Sequence, residues 1–147
     1  MVDYAQNKGL ARSYEFRDRF EAGVVLLGHE VKAVRAGKVS LRGAFVVANA
    51  GGARLKGALI SPYQQNNVPE QYNPRRERAL LLHKNQLNAL VGASNQHGLT
   101  ILPMRIYNSG SRIKLEIVIG RGLKKHDQRE KLKQKEFERR RHKLLGH

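Results

Sequence analysis

The sequence of 147 residues contains no cysteine. The chain therefore has no disulfide, no thiolate nucleophile and no cysteine-ligated zinc site. The absence suits a reducing compartment, and we expect the protein to act in the cytosol.

Long apolar runs are also missing. The apolar runs are short, as at residues 24–27, 79–82 and 117–119. A transmembrane helix needs about 20 apolar residues, so we expect no membrane span. Residues 1–9 lack the apolar core of a secretory signal, and we expect none there.

Motifs of catalysis are absent as well. The sequence has neither a Gly-x-x-x-x-Gly-Lys phosphate loop nor a nucleophile elbow. Its histidines do not occur at the spacings of paired metal ligands. The sequence therefore predicts no catalytic residue, no metal site and no cofactor, and it disfavours an enzyme. The six histidines are His29, His83, His97, His126, His142 and His147.

Acidic residues are scarce, since 12 Asp and Glu face 28 Lys and Arg and the net charge is +16. A chain with this imbalance favours a polyanionic partner, which is RNA, DNA or an anionic membrane surface. Binding to a nucleic acid would release counterions and weaken steeply with salt.

The positive charge is concentrated at the C-terminal end. Residues 121–147 carry a net charge of +7 in 27 residues. We predict a folded domain over residues 1–120 and a basic tail over 121–147. The tail has helix-favouring composition, but its few apolar residues form no continuous stripe that could dock on the body. We expect it to be disordered alone and to become helical on an anionic partner.

The body predicts an α+β fold that is mainly β. Apolar residues alternate over 12–20, with an irregularity near Asp18, and again over 112–119. Short strands joined by local turns favour a closed or partly closed antiparallel barrel, of which the oligonucleotide-binding barrel is one form. Further strands are predicted over 45–48, 53–60 and 100–107, a loop over 61–74, and helices over 29–36 and from Leu80 to a stop at Gly92.

Two glutamates, Glu21 and Glu30, stand out because acidic residues are rare. They could pair with neighbouring Lys and Arg, or a carboxylate could accept hydrogen bonds from a base edge. Composition favours the first interpretation.

Basic residues cluster twice in the body, and we interpret both clusters as phosphate contacts. A spacing of three places Lys32 and Arg35 on one helical face. Tyr63, His83 and Tyr107 are candidates for stacking on bases. The two clusters are Lys32, Arg35, Lys38 and Arg42, and Arg75, Arg76 and Arg78.

Longer strings carry a specific resemblance. Residues 21–38 read Glu-Ala-Gly-Val-Val-Leu-Leu-Gly-His-Glu-Val-Lys-Ala-Val-Arg-Ala-Gly-Lys and follow an Asn-Lys pair at 7–8. Together they resemble the signature of the SmpB family, bacterial proteins that bind transfer-messenger RNA (tmRNA). Matching strings follow in order at 60–63, 73–84, 98–103 and 120–129, so that the resemblance covers nearly the whole chain.

The resemblance implies an oligonucleotide-binding-like barrel and a role in ribosome rescue. Family members bind the tRNA-like domain of tmRNA near its elbow, where the D-loop and T-loop meet. They accompany tmRNA into bacterial 70S ribosomes stalled on messages without a stop codon. The tail then enters the decoding centre, formed by small-subunit rRNA, and the empty mRNA channel. Elongation factor Tu and alanyl-tRNA synthetase are implied partners through tmRNA. No membrane partner is implied, and the bacterial cytoplasm is the implied location.

The resemblance also implies which body residues bind tmRNA. Asn7, Glu21 and Leu81 match positions tied to this binding. Glu21 could fix the binding loop or accept a hydrogen bond from RNA, and Leu81 could be a buried support for the RNA surface. The predicted tmRNA-binding residues are Asn7, Glu21, Glu30, Lys32, Arg35, Lys38 and Leu81.

In the tail, His126 matches a position that stacks on decoding-site rRNA. Phe137 and Leu144 match positions in the helix that lines the mRNA channel. Gln128 departs from the usual lysine, and neighbouring lysines are expected to compensate. The predicted ribosome contacts are Lys124, Lys125, His126, Asp127, Arg129, Lys131, Phe137, Arg140 and Leu144.

Two rival functions remain open on composition alone. The first is a ribosomal protein with a basic extension, and the second is a nucleic-acid-processing enzyme with an unrecognised site. The missing catalytic motifs disfavour the enzyme. The signature over residues 21–38 favours a tmRNA-binding adaptor over the ribosomal protein.

Overall fold

The structure is a computed structural model that describes residues 2–64 and 68–144, apart from the side chains of residues 125–128, 131 and 144. Strands dominate residues 3–122, and a long helix follows them. The described elements are β1 (Asp3–Gln6), α1 (Leu10–Ser13), β2 (Tyr14–Val24), α2 (Gly28–Arg35), β3 (Val39–Ser40), β4 (Phe45–Asn49), β5 (Gly52–Lys56), β6 (Leu59–Ile60), β7 (Arg78–Leu81), α3 (Lys84–Ser94), β8 (Leu99–Ser109), β9 (Arg112–Gly122) and α4 (Lys125–Leu144).

The main sheet curls into a barrel. Its antiparallel pairings run β8–β4–β5–β7–β2–β9, and β9 pairs with β8 again. The pairing between β4 and β8 is short, with Val46 opposite Ile101. β8 and β9, by contrast, pair along their whole length. The predicted mainly β, oligonucleotide-binding-like architecture is confirmed, with a barrel that is only partly closed between β4 and β8.

Strand alternation separates the core from the surface. Ala22 of β2 and Leu115 and Ile117 of β9 are fully buried, whereas Glu21 lies outside. The irregularity predicted near Asp18 is confirmed, since the β2–β9 register shifts between Phe16 and Arg19. The result is a wall with an apolar inner face and a polar outer face.

Helix α2 packs against the hydrophobic core. It begins after Leu27, whose backbone N–H donates to the Glu30 carboxylate at 2.8 Å. It ends before Gly37, which adopts a φ of 80° that favours glycine. Ala33 and Val34 are buried against the core. The helix predicted over 29–36 is therefore confirmed.

The prediction that a helix begins at Leu80 is wrong, because the observed helix α3 begins at Lys84. Residues Arg78–Leu81 form β7, in which Arg78 and Leu80 are buried and Leu81 is exposed. This alternation has the period of two that is typical of a strand. Pairing with β2 and β5 provides partners for the backbone hydrogen-bonding groups. α3 begins only at Lys84, after the backbone N–H of His83 donates to the side chain of Gln86 at 3.2 Å.

The tail follows β9 directly. The strand continues to Gly122, two residues beyond the predicted boundary at 120, and α4 covers Lys125–Leu144. Phe137 on α4 is 68% exposed. Among the helices in the described part of the chain, none is both long and apolar enough to cross a bilayer. The expectation that the tail orders only on its partner stays a prediction.

Candidate nucleic-acid interface

The outer wall, defined as the outward face of β8, β9, β2 and β7, brings together residues distant in sequence. Gly23 pairs with Leu81 on one side and with Lys114 on the other. Glu21 lies two residues before Gly23 and therefore shares its face. The register thus places two predicted tmRNA-binding residues, Glu21 and Leu81, on one surface.

A cleft of about 640 Å³ opens on this wall. Leu81 contributes apolar surface and is 64% exposed, so it is not the buried support that the sequence left open. Gly23 makes room for it, because a Cβ at residue 23 would lie 3.3 Å from the Leu81 Cβ. Val24, Leu26 and Val31 also line the cleft.

Basic side chains stand on two sides of the cleft. Arg35 comes from α2, and Arg112 and Lys114 come from the β8–β9 hairpin. The Arg35 guanidinium donates to the backbone carbonyl of Ser111 at 3.0 Å, which ties helix and hairpin together. The cleft therefore places positive groups around apolar surface and the Glu21 carboxylate.

Glu21 is held by a buried tyrosine. The Tyr107 hydroxyl donates to Oε2 of Glu21, and Tyr107 is only 2% exposed. Burial, together with the neighbouring carboxylate, raises the pKa of Tyr107 above its usual value of 10, so the phenol keeps its proton. The Arg105 guanidinium covers the ring at 4.1 Å. The prediction that Tyr107 stacks on a base is therefore wrong.

Glu30 lies in a different place, inside a buried charged cluster with Tyr72, Arg76 and Arg78. Arg78 donates to Glu30 Oε2 at 2.6 Å, and the Tyr72 hydroxyl donates to the same oxygen at 2.9 Å. Arg76 donates to Oε1. Glu30 and Arg78 have no exposed surface.

The cluster keeps Glu30 ionised. Burial alone would raise its pKa, but hydrogen bonds from Arg76, the Leu27 backbone, Arg78 and Tyr72 outweigh burial and lower the pKa from 4.5 to about 2. Neither Glu30 nor Arg78 can touch RNA from this position. The interpretation of Arg78 as a phosphate contact is wrong, and any part that Glu30 plays in RNA binding is indirect.

Asn7 is tethered in a similar way. Its side-chain amide donates to the backbone carbonyls of Leu41 at 3.1 Å and Pro103 at 3.0 Å. The amide nitrogen therefore fixes the segment between β1 and α1 to β8 and to the segment that follows β3.

Lys32 and Lys38 lie at the surface beside α2. Lys32 is exposed on the helix. The Lys38 ammonium group lies 5.8 Å from the centre of the Tyr63 ring and donates to the Tyr63 carbonyl at 3.3 Å. Tyr63 is itself exposed and keeps its predicted role as a stacking candidate.

A sequence profile of the SmpB protein matches residues 4–147. The chain belongs to the SmpB family. Among its relatives is the SsrA-binding protein of Microcystis aeruginosa, which is 47% identical over 133 residues, 90% of this chain and 86% of the relative. The SsrA-binding protein of Coxiella burnetii strain RSA 493 is 44% identical over 96% of this chain and 89% of its own.

A solved structure is similar as well. Its description reads "tmRNA-SmpB: a journey to the center of the bacterial ribosome". It is 39% identical, superimposes with a TM-score of 0.67, and the match covers 82% of this chain and 84% of that one. The SmpB resemblance read from residues 21–38 is thereby confirmed, together with the fold that it implied.

The predicted ribosome contacts lie on or beside α4. Arg129, Phe137 and Arg140 are exposed on the helix, and Lys124 is exposed just before it. The side chains of the remaining predicted contacts lie outside the described part of the structure. These are Lys125, His126, Asp127, Lys131 and Leu144.

Arg112 and Lys114 line the cleft but were not among the predicted binding residues. The outward positions of β9 were readable from its alternation, which marks Lys114 and Glu116 as the polar face. The hydrogen bond between Glu21 and Tyr107 joins residues 86 positions apart and depends on the register of three strands. No local pattern in the sequence could have shown it.

Proposed function

We propose that this protein binds the tRNA-like domain of tmRNA and acts as an adaptor in trans-translation. The observation that carries the proposal is the cleft on the outer wall, where Glu21 and Leu81 meet Arg35, Arg112 and Lys114. Relatives named SsrA-binding proteins and a tmRNA-SmpB ribosome structure support it.

The chemistry of the cleft suits a folded RNA loop. Cationic side chains contact phosphates and position the RNA, but they carry little sequence information. The exposed surface of Leu81 can pack on an unstacked base, and the Glu21 carboxylate can accept hydrogen bonds from base amino or imino groups. Because this combination needs unpaired bases next to backbone, a tRNA-like elbow fits it better than a regular duplex.

The tail serves the second half of the proposed function. We propose that it enters the decoding centre and the empty mRNA channel of a stalled ribosome. Its net charge of +7 favours contact with rRNA, and exposed Phe137 offers an apolar group that the body does not cover. Elongation factor Tu and alanyl-tRNA synthetase would then act on the same tmRNA, in the bacterial cytoplasm.

A binding assay tests the proposal. Dissociation constants would be measured by gel shift at physiological salt for the tRNA-like domain and for an unrelated structured RNA of equal length. We expect much tighter binding to the tRNA-like domain. Equal affinity for both RNAs would contradict the adaptor function and favour a general RNA binder, such as a ribosomal protein.

Matched variants locate the interface in the same assay. Leu81→Ala should weaken binding to the tRNA-like domain, because it removes apolar surface from the cleft. Phe45→Ala is the control, since Phe45 is also an exposed apolar residue of a barrel strand but does not line the cleft. If both variants bind alike, the interface lies elsewhere.

A further inference from the structure

Glu21 lies exposed on the outer face of β2. Without a hydrogen-bond partner, its side chain would be free to adopt several rotamers. Its cross-strand partner on β9 is Glu116, another carboxylate. Like charges opposite each other repel and would push the two side chains apart. Some other group must therefore hold the Glu21 carboxylate in the cleft.

The Glu116 carboxylate is itself ion-paired with two arginines. Arg19 contacts Glu116 Oε1 at 3.0 Å, and Arg105 contacts Oε2 at 3.2 Å. Arg105 also reaches Asp3 on β1 at 2.6 Å. The guanidinium is thus fixed by two carboxylates, and from there it covers the Tyr107 ring.

Tyr107 is the link between this network and Glu21. It is buried under Arg105, and its hydroxyl donates to Oε2 of Glu21. Within the described residues, no protein group donates to the second oxygen, Oε1. The phenol therefore fixes one carboxylate oxygen and leaves the other for an RNA donor.

We propose that Tyr107 is a positioning residue for RNA recognition, which holds the Glu21 carboxylate in its binding orientation without touching RNA itself. The inference rests on the proposed function of the cleft. Fixing a side chain before binding removes an entropic cost that the complex would otherwise carry. Charge at residue 21 is then not sufficient, because its position must be correct as well.

Tyr107→Phe tests the proposal, because it removes the hydroxyl and keeps the ring. We expect binding to the tRNA-like domain of tmRNA to weaken about three- to tenfold, with little change in the thermal unfolding midpoint. In the Glu21→Gln background the same change should alter affinity by less than about twofold, because the orientation of a carboxylate no longer matters. An equal loss in both backgrounds would show a merely structural role and overturn the inference.

Glu21→Asp is a second variant that keeps the fold, since Glu21 is exposed. It retains the negative charge but withdraws the carboxylate by one methylene. We expect a loss of affinity close to that of Glu21→Gln, and wild-type affinity would overturn the inference. Tyr4→Phe is the matched control, because Tyr4 is a half-buried tyrosine of the neighbouring strand β1 that has no part in holding Glu21.

The two proposals fail differently. If wild-type protein binds the tRNA-like domain no better than an unrelated RNA, the proposed function falls, and this inference falls with it. If wild type discriminates and Glu21→Gln weakens binding but Tyr107→Phe does not, only the inference is wrong.

Discussion

At the residue scale, Glu21 and Glu30 belong to one signature but lie in opposite surroundings. Glu21 faces outward beside the cleft, whereas Glu30 is sealed inside the charged cluster with Arg76 and Arg78. One stretch of sequence therefore combines a candidate contact with a structural anchor. The anchor fixes the segment around Tyr72 to α2, because the Tyr72 hydroxyl and the Arg78 guanidinium both donate to Glu30 Oε2. Arg78 also donates to the Tyr72 hydroxyl.

Removing the charge of Glu30 should destabilise the fold. Glu30→Gln leaves Arg78 fully buried without its counter-ion, and loss of one partner of a buried pair costs about 3–5 kcal/mol. Urea unfolding followed by circular dichroism would measure it. The control is Glu77→Gln, which breaks an exposed pair with Arg54 and should leave the midpoint almost unchanged.

The same carboxylate should make stability depend on pH. Its pKa is about 2 in the folded protein against 4.5 ordinarily. The unfolded chain therefore takes up protons first as the pH falls, so the stabilisation by Glu30 is complete above about pH 4.5 and is lost as the pH falls through 2.

Unfolding free energies between pH 5 and 2 at constant salt would measure this dependence. The gap between wild type and Glu30→Gln should narrow as the pH falls. Parallel curves for the two proteins would contradict the assigned role of Glu30.

Residue roles were predictable only where a motif carried them. The string at 21–38 identified Glu21 and Glu30 but did not distinguish their roles, because burial depends on what packs over a strand or helix. Arg78 looked like a surface cation in a run of arginines, yet the alternation of β7 turns it inward. Such outcomes are decided by tertiary pairing and not by local sequence.

At the element scale, the long strands and α2 were predictable because their apolar periods are clear. β7 was not, because the apolar run at 79–82 fits a buried strand and a helix equally well. Pairing with β2 and β5 decides it. That pairing places Leu81 in the proposed binding cleft.

Removing the tail should separate two activities. A chain ending at Gly122 keeps every strand of the barrel and the cleft. We expect its affinity for the tRNA-like domain to stay within about threefold of wild type, since the lost cations contribute only general attraction. Tagging of nascent peptides on stalled ribosomes should be abolished in a reconstituted translation assay. Loss of tmRNA binding by this chain would contradict the division between body and tail.

At the scale of the whole molecule, net charge sets how strongly salt affects binding. A charge of +16 attracts any RNA, whereas we propose that the geometry of the cleft selects one. On this proposal, non-specific affinity comes from the net charge and specificity comes from the cleft. The affinity for RNA in general was predictable from composition, whereas the cleft could be described only from the fold.

Salt titrations should separate these contributions. The slope of log affinity against log salt is expected to fall by about 0.7–0.9 in Arg112→Gln, if one phosphate contact is lost. Leu81→Ala should weaken binding at every salt concentration but leave the slope unchanged. An unchanged slope in Arg112→Gln would exclude Arg112 as a phosphate contact.

The position of β9 has a consequence for biosynthesis. β9 is the last described strand in the chain, yet it lies between β2 and β8. A message that breaks between the codons for β8 and those for β9 therefore yields a product in which β2 and β8 each lack a partner strand, and such unpaired edges promote aggregation. Shortened copies of this protein are thus products that a cell must remove, and tagging incomplete chains for removal is the process in which we propose that the intact protein acts.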